Sequence, residues 1–304
     1  MTPPRPLSRR ARAAYREGVR AQGLVTTVPG AEAGDHLCWV YDDDAAFAAA
    51  ARQFLAGGLA RDERLLCVGE RVIDGVRGGT SPGDAVESLI AEGRLELLTV
   101  AQAYAATGRF APEQQLAFYE EATRRAVAEG FRGLRVIAEI SPLAEDPASR
   151  ADLVRWEHLA DDFMASGSGM SAMCAYRGDL PKNALTDVAT AHPLVHPEQD
   201  VPPFRLFFDD GRLALAGSVD TFDADRLAAL LASSPVRGPL ATLDLTFLDF
   251  LDGAGCRVLA RWVRDLRTRS IEVELRSAPR VVRRMWSLLG FTDLAPVTFP
   301  GAGA

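Results

Sequence analysis

Short, continuous apolar runs alternate with longer amphipathic segments through the first two-thirds of the chain. Residues 36–41, 64–69, 95–100, 134–140 and 170–176 read as strands, and several lack the polar alternation of a sheet with one wet face. Such runs suit parallel strands buried on both sides. Between them, Phe47, Ala50, Ala51, Phe54 and Leu55 mark one face of a helix over 45–60, with Asp42, Asp43 and Asp44 as its N-terminal carboxylates. Helices are also expected over 84–92, 112–129 and 148–165. This rhythm predicts a doubly wound α/β domain around a mostly parallel sheet.

The pattern changes after 192. HPLVHPEQDVPP is proline-rich and aperiodic, which suits a linker. A strand over 204–208, a turn at Asp209-Asp210-Gly211-Arg212, a strand over 213–219 and a helix from about Asp223 follow. The run 243–251 then predicts one buried strand ending in Asp252-Gly253-Ala254-Gly255, a turn that opens a helix. Cys256, Leu259, Val263 and Leu266 face inward on that helix, and Arg257, Arg261, Arg264 and Arg267 outward. The boundaries expected are a basic tail over 1–29, a first domain over 30–192, a linker over 193–203, a second, smaller α/β domain over 204–299, and a tail over 300–304.

Length supports two cores, since 304 residues exceed a typical single domain. Residues 1–30 hold six Arg and one Glu, whereas residues 31–203 hold 15 basic and 28 acidic side chains. So acidic a body disfavours nucleic acid as a partner of the main domains. No apolar run reaches the roughly 18 residues of a membrane span, and no signal-like apolar segment follows the early arginines. A cytoplasmic location is the expectation. The four cysteines are widely spaced and read as buried thiols.

A phosphate-binding loop requires glycine amides and a lysine between the first strand and its helix. Here Tyr41-Asp42-Asp43-Asp44 stands there, and three carboxylates at the positive helix end would repel a triphosphate. Other residues carry candidate chemistry. His36 and Cys38 share a strand face and fit three roles: a hydrogen-bonded core pair, a small-molecule pocket, or part of a metal site completed by Cys174, His158, His192 or His196. Glu139 inside an apolar strand and Glu70 at a strand end suit either a ligand crevice or structural pairing. Trp39 and Tyr41 lie on the other strand face, as core or pocket wall. The acid pairs Glu120-Glu121 and Asp161-Asp162 read as solvated helix faces.

Two resemblances follow from these residues. Gly34-Asp35-His36-Leu37-Cys38, LLCVGE at 65–70, GLRVIAEISPL at 133–143, RWE at 155–157 and CAYRGDLP at 174–181 together resemble a MEDS domain, a sensory module of methanogen and methylotroph regulators. That resemblance implies a RecA-like sheet that has lost nucleotide chemistry. The second domain, with LDLTFLDFLDGAG at 243–255, resembles a STAS domain of the anti-sigma-factor antagonists. Their turn usually reads Asp-Ser-Ser-Gly or Asp-Ser/Thr-x-Gly, and a hydroxyl in it is the phosphorylation switch. Here Asp252 and Gly255 keep the frame while Gly253 and Ala254 lack the hydroxyl. The implied function is a non-enzymatic regulator: a small-molecule or redox sensor over His36, Cys38, Tyr41, Asp42, Glu70, Glu139 and Cys174 controls a STAS surface at Asp252, Gly253, Ala254, Gly255 and Arg257. Its implied partner is an anti-sigma factor or related protein. No cofactor is expected, with a metal or small molecule at His36 and Cys38 left open. The alternatives are a constitutive scaffold with a ligand-free sensor domain, and an enzyme using His36, Cys38 and Glu139.

Overall fold

The continuous apolar runs become strands buried on both faces. The computed structural model describes residues 20–30, 32–78, 83–104, 110–197 and 201–300. In chain order the first domain contains β1 (Gly23–Leu24), β2 (His36–Tyr41), α1 (Asp44–Ala60), β3 (Arg64–Val68), α2 (Glu70–Arg77), α3 (Gly83–Ala91) and β4 (Leu95–Leu98). There follow α4 (Val100–Tyr104), α5 (Pro112–Ala128), β5 (Leu134–Glu139), α6 (Ser141–Glu145), α7 (Pro147–Ala165), β6 (Met170–Arg177), α8 (Lys182–Ala189) and β7 (Leu194–His196). The sheet order is β1-β7-β2-β6-β5-β3-β4, and every pairing is parallel. Helices α1–α3 cover one face, around Leu37, Phe54, Leu65 and Ile137. Helices α4–α8 cover the other, around Val40, Val136, Trp156 and Tyr176. This is the doubly wound sheet expected.

Several local readings change. The strand expected over 95–100 stops at Leu98 because Thr99 and Gln102 cap α4 reciprocally: the Thr99 hydroxyl accepts from the Gln102 backbone N–H (3.1 Å) and the Gln102 side-chain Oε1 from the Thr99 backbone N–H (2.8 Å). Strand β5 is not apolar on both faces. Arg135 lies in it, 1% exposed, with its guanidinium 2.5 Å from Glu63 and over the Phe54 ring at 4.7 Å. Gly58 in α1 makes room, since a Cβ there would stand 2.6 Å from Arg135 Cδ. The expected basic tail lies outside the described residues up to 19; beyond them, Gly23–Leu24 pairs with β7 in the main sheet. Leu194–His196, inside the expected linker, is likewise a strand of that sheet, and residues 198–200 and 301–304 lie outside the described ones.

The second domain runs β8 (Phe204–Asp209), β9 (Arg212–Val219), α9 (Ala224–Ser233), β10 (Leu240–Asp244), β11 (Leu248–Leu251), α10 (Gly253–Thr268), β12 (Glu272–Arg276), α11 (Arg280–Leu288) and α12 (Phe291–Leu294). Strands β8 and β9 form an antiparallel hairpin through Asp210 (φ 50°) and Gly211 (φ 71°), the left-handed pair that matches hairpin twist. Strands β10 and β11 both run parallel to β9, and β12 parallel to β10. The single strand expected over 243–251 is therefore broken at residues 245–247. Asp244 Oδ1 accepts from the Thr246 N–H (2.8 Å) and hydroxyl (2.6 Å), closing a local turn that competes with the ladder. The inward and outward faces of α10 are as expected.

The domains join through a buried seam. Val154 of α7 and Ala191 belong to the second domain's core cluster. Leu206 N–H donates to Thr190 O (2.8 Å), His158 Nδ1 lies 2.9 Å from Ser234 Oγ, and Arg226 pairs with Asp187 at 2.8 Å. Helix α7 thus packs on the large sheet with one side and on β8 and α9 with another.

Removing one partner of a buried ion pair strands the other charge. Glu63→Ala should lower unfolding stability in urea by about 3–5 kcal/mol. A loss below about 1 kcal/mol would mean that water reaches Arg135.

Candidate functional site

Helix α7 begins at an Asp146 cap that accepts from Ala148 N–H (3.0 Å), followed by Pro147 at the first helical position. Its register puts Glu157 and Asp161 one turn apart on the face turned to the sheet. Both are fully buried, so Asp161 is not on a solvated face as expected from the Asp161-Asp162 pair. Two layers of protein enclose α7 and leave that face no water.

Four side chains from separate segments converge beside Asp161: His36 from β2, Glu157 from α7, Cys174 from β6 and His192 after α8. Each is buried, and one donor atom of each lies within 4.8 Å of all the others. His36 Nε2 is 3.2 Å from Glu157 Oε2 and 3.4 Å from Cys174 Sγ. Cys174 Sγ and His192 Nε2 each lie 3.4 Å from the same Glu157 oxygen. Among the described residues this is the one group of three or more such donors close enough to share an ion.

The outward-facing atoms are anchored too. His36 Nδ1 meets Asp161 Oδ1 at 3.1 Å, and His192 Nδ1 donates to Val188 O at 2.8 Å. The Tyr176 hydroxyl donates to Glu157 Oε1. Asp161 Oδ1 also accepts from Arg20 Nη1 (2.6 Å), and Oδ2 from the Phe208 backbone N–H on β8 (2.6 Å). Arg20 Nη1 in turn donates to Phe208 O at 2.8 Å. One residue of the second domain, Phe208, is thus held through both its backbone N–H and its carbonyl by an ion pair of the first.

Burial disfavours every charge here, and neighbouring charges decide the outcome. For Asp161 burial works upward, but Arg20 and His36 hold its pKa down to about 2. Burial likewise opposes the Glu157 carboxylate, yet His192 and His36 keep it well below its ordinary value. Burial alone would lower His36, while hydrogen bonds to Asp161 and Glu157 leave it raised. His192 is lowered, first by burial and then by His36. The Cys174 thiol is raised by burial and by Glu157.

The expected site residues separate into distinct places. His36 and Cys174 belong to the cluster. Cys38 pairs with Cys174 in register, fully buried, but its sulfur is not among the converging donors, so the thiol of the site is Cys174. Tyr41 and Glu139 lie elsewhere, at the carboxyl ends of β2 and β5. There burial raises the Glu139 carboxyl, opposed by Ser141, Tyr41 and Arg71. Gly69, at φ 107°, passes so close that a Cβ would stand 2.6 Å from Glu139 O. Glu70 does not end a strand; it is an exposed residue of the first turn of α2. Asp42 is exposed against Gly178, Asp43 caps α1, and Asp44 pairs with Arg71 at 2.7 Å. His196 stacks on Trp39 at 3.8 Å, away from the cluster. Glu157 and Asp161 were not among the expected site residues. The available signal was the RWE element followed one turn later by a second acid.

In the second domain Asp252 caps α10. Its Oδ1 accepts from Ala254 N–H (2.8 Å) and Gly255 N–H (2.9 Å), and its Oδ2 from the Thr221 hydroxyl (2.9 Å). Phe222 beside this turn is 92% exposed, Phe250 on the adjoining strand 54%, and Arg257 is exposed.

Comparison with known proteins agrees with this division. Residues 204–296 match the profile of an Mlab-type STAS domain. Residues 35–193 match that of MEDS, the MEthanogen/methylotroph, DcmR Sensory domain. A search of curated proteins finds no match. The chain belongs to the MEDS family and carries a STAS domain behind its sensory domain.

Proposed function

We propose that this chain is a non-enzymatic regulator whose MEDS domain sets the state of its STAS domain, and that the STAS domain docks on a regulatory protein of the anti-sigma-factor type. The observation that carries this reading is the shared carboxylate: Asp161 holds His36 of the sensory cluster and the Phe208 peptide of β8 at once. A change in the cluster that moves His36 therefore acts on a strand of the STAS sheet. Strand β8 pairs along β9, and β9 ends beside β11 and the Asp252 turn. A ligand shifts this equilibrium only as far as it favours one arrangement.

The docking surface supported best is the turn with Phe222, Phe250 and Arg257. An exposed aromatic pair beside a helix start has the composition of an interface anchor. The N-terminal end of α1, closed by Asp43 and the Asp44–Arg71 pair, supports a domain without nucleotide hydrolysis. Control by phosphate within 252–255 has no hydroxyl to use.

The test is capture by kinase-type anti-sigma factors encoded in the same genome. Phe222→Asp and Arg257→Glu change exposed side chains and should weaken capture at least tenfold, while Leu288→Asp on α11 should not; equal capture by all forms would defeat the assignment. With the same kinase and ATP, the natural chain should take no phosphate in 252–255. The double variant Gly253→Ser, Ala254→Ser should accept phosphate there and then lose binding, because phosphate adds nearly two negative charges. Phosphate on the natural turn, or a phosphorylated variant that still binds, would contradict the reading.

A further inference from the structure

The geometry points to a closed, tetrahedral zinc-type metal site made by His36 Nε2, Glu157 Oε2, Cys174 Sγ and His192 Nε2. Zinc bonds of about 2.0–2.3 Å in a tetrahedron set neighbouring donor atoms about 3.3–3.7 Å apart. The contacts of 3.2, 3.4, 3.4 and 3.4 Å among these donors approach that spacing. All four donor atoms lie within 4.8 Å of one another, too close for an organic molecule to sit among them.

Each ligand also has the outer partner such a site requires. Metal-bound histidines are fixed through their second nitrogen by a carboxylate or carbonyl. Here Asp161 serves His36 and Val188 O serves His192, so both Nε2 atoms point inward. Tyr176 occupies Glu157 Oε1 and leaves Oε2 for the ion. His192 Nε2 is fully buried and makes no hydrogen bond. Its one polar neighbour is the Glu157 carboxylate oxygen at 3.4 Å, a poorly formed contact for a core ring nitrogen, and a metal bond would satisfy both atoms.

Charge balance favours a divalent ion. Arg20 and Asp161 already neutralise each other. A carboxylate at Glu157 and a thiolate at Cys174 would bring two negative charges into an apolar core, and one divalent cation makes the whole group neutral. Imidazole with thiolate and carboxylate suits zinc among the common ions. Four protein ligands close the coordination sphere, so the role is structural or sensory rather than hydrolytic. Its regulatory use rests on the function proposed above; the site itself does not.

The full-length chain, stripped by chelator and reloaded with Zn²⁺, should retain the ion stoichiometrically, with one sulfur near 2.3 Å and the remaining ligands N or O in X-ray absorption. With Co²⁺ it should show tetrahedral visible bands and a thiolate charge-transfer band. Cys174→Ser should abolish that band and Cys38→Ser leave it. Asp161→Asn should weaken Zn²⁺ affinity about 10–100-fold. Failure to retain metal, or an absorption spectrum without sulfur, would overturn the site even if the Ser variant does not fold. Capture of the anti-sigma partner by loaded and stripped chain separates the two readings. Metal bound with these signatures but capture unchanged upholds the site and removes its regulatory use. Absence of metal leaves the docking reading to its own variants.

Discussion

Three donors converge on the buried Asp161 carboxylate: a histidine ring, a guanidinium and the backbone N–H of a strand in the other domain. A charge so deeply placed is tolerable only when its oxygens are fully engaged. Each donor comes from a different part of the chain, and losing any of them leaves a buried charge short of a partner. The arrangement therefore ties the order of the His36 side chain to the seating of β8. It also explains why the face of α7 that carries Asp161 is not solvated. The helix packs against the large sheet with Glu157 and Asp161, and against β8 and α9 with Val154 and His158. The domains are joined less by the segment between them than by this helix.

The fold was largely legible because parallel strands buried on both sides leave uninterrupted apolar runs. It failed where a local hydrogen bond outweighed the pattern. Thr99 and Gln102 end a strand that hydrophobicity alone would extend, and Asp244 with Thr246 breaks another. The site was half legible. His36 stood out through its strand partner Cys38, but strand pairing sets Cys174 diagonally from His36 and brings Glu157 and His192 in by tertiary packing. Ligands so dispersed have no spacing to detect. Asp161 was misread for a related reason: two adjacent acids on a helix signal solvent unless both sides of that helix are covered, and coverage is a property of the assembled domains.

Doubly wound parallel sheets take their ligands outside the carboxyl ends of the strands. In this chain that end is closed by carboxylates at α1, by the Asp44–Arg71 pair and by Gly69 pressed against Glu139. The polar cluster lies toward the other end of β2, where His36 opens the strand that Tyr41 closes. The buried polar cluster of this domain thus lies beside the seam with the second domain rather than at that crevice. A site at the crevice would act on that domain only across the width of the sheet. A site at the seam touches it through one carboxylate.

The turn at 252–255 shows which parts of a motif geometry demands. Asp252 must be present because its Oδ1 satisfies two free amides at the start of α10. A Cβ on Gly255 would stand 2.3 Å from Leu251 Cδ1, so any larger residue there must displace that buried side chain. Neither constraint reaches the two positions between them. A Cβ on Gly253 meets nothing closer than Arg257 Nη1 at 3.6 Å, and Ala254 already carries one. Serine would fit at both without disturbing the cap. The fold therefore does not exclude the hydroxyls. If the turn docks a partner as proposed above, its control has no hydroxyl at 252–255 to use, and the contact that joins the first domain to the second domain's sheet is Asp161, which holds His36 and the Phe208 N–H at once.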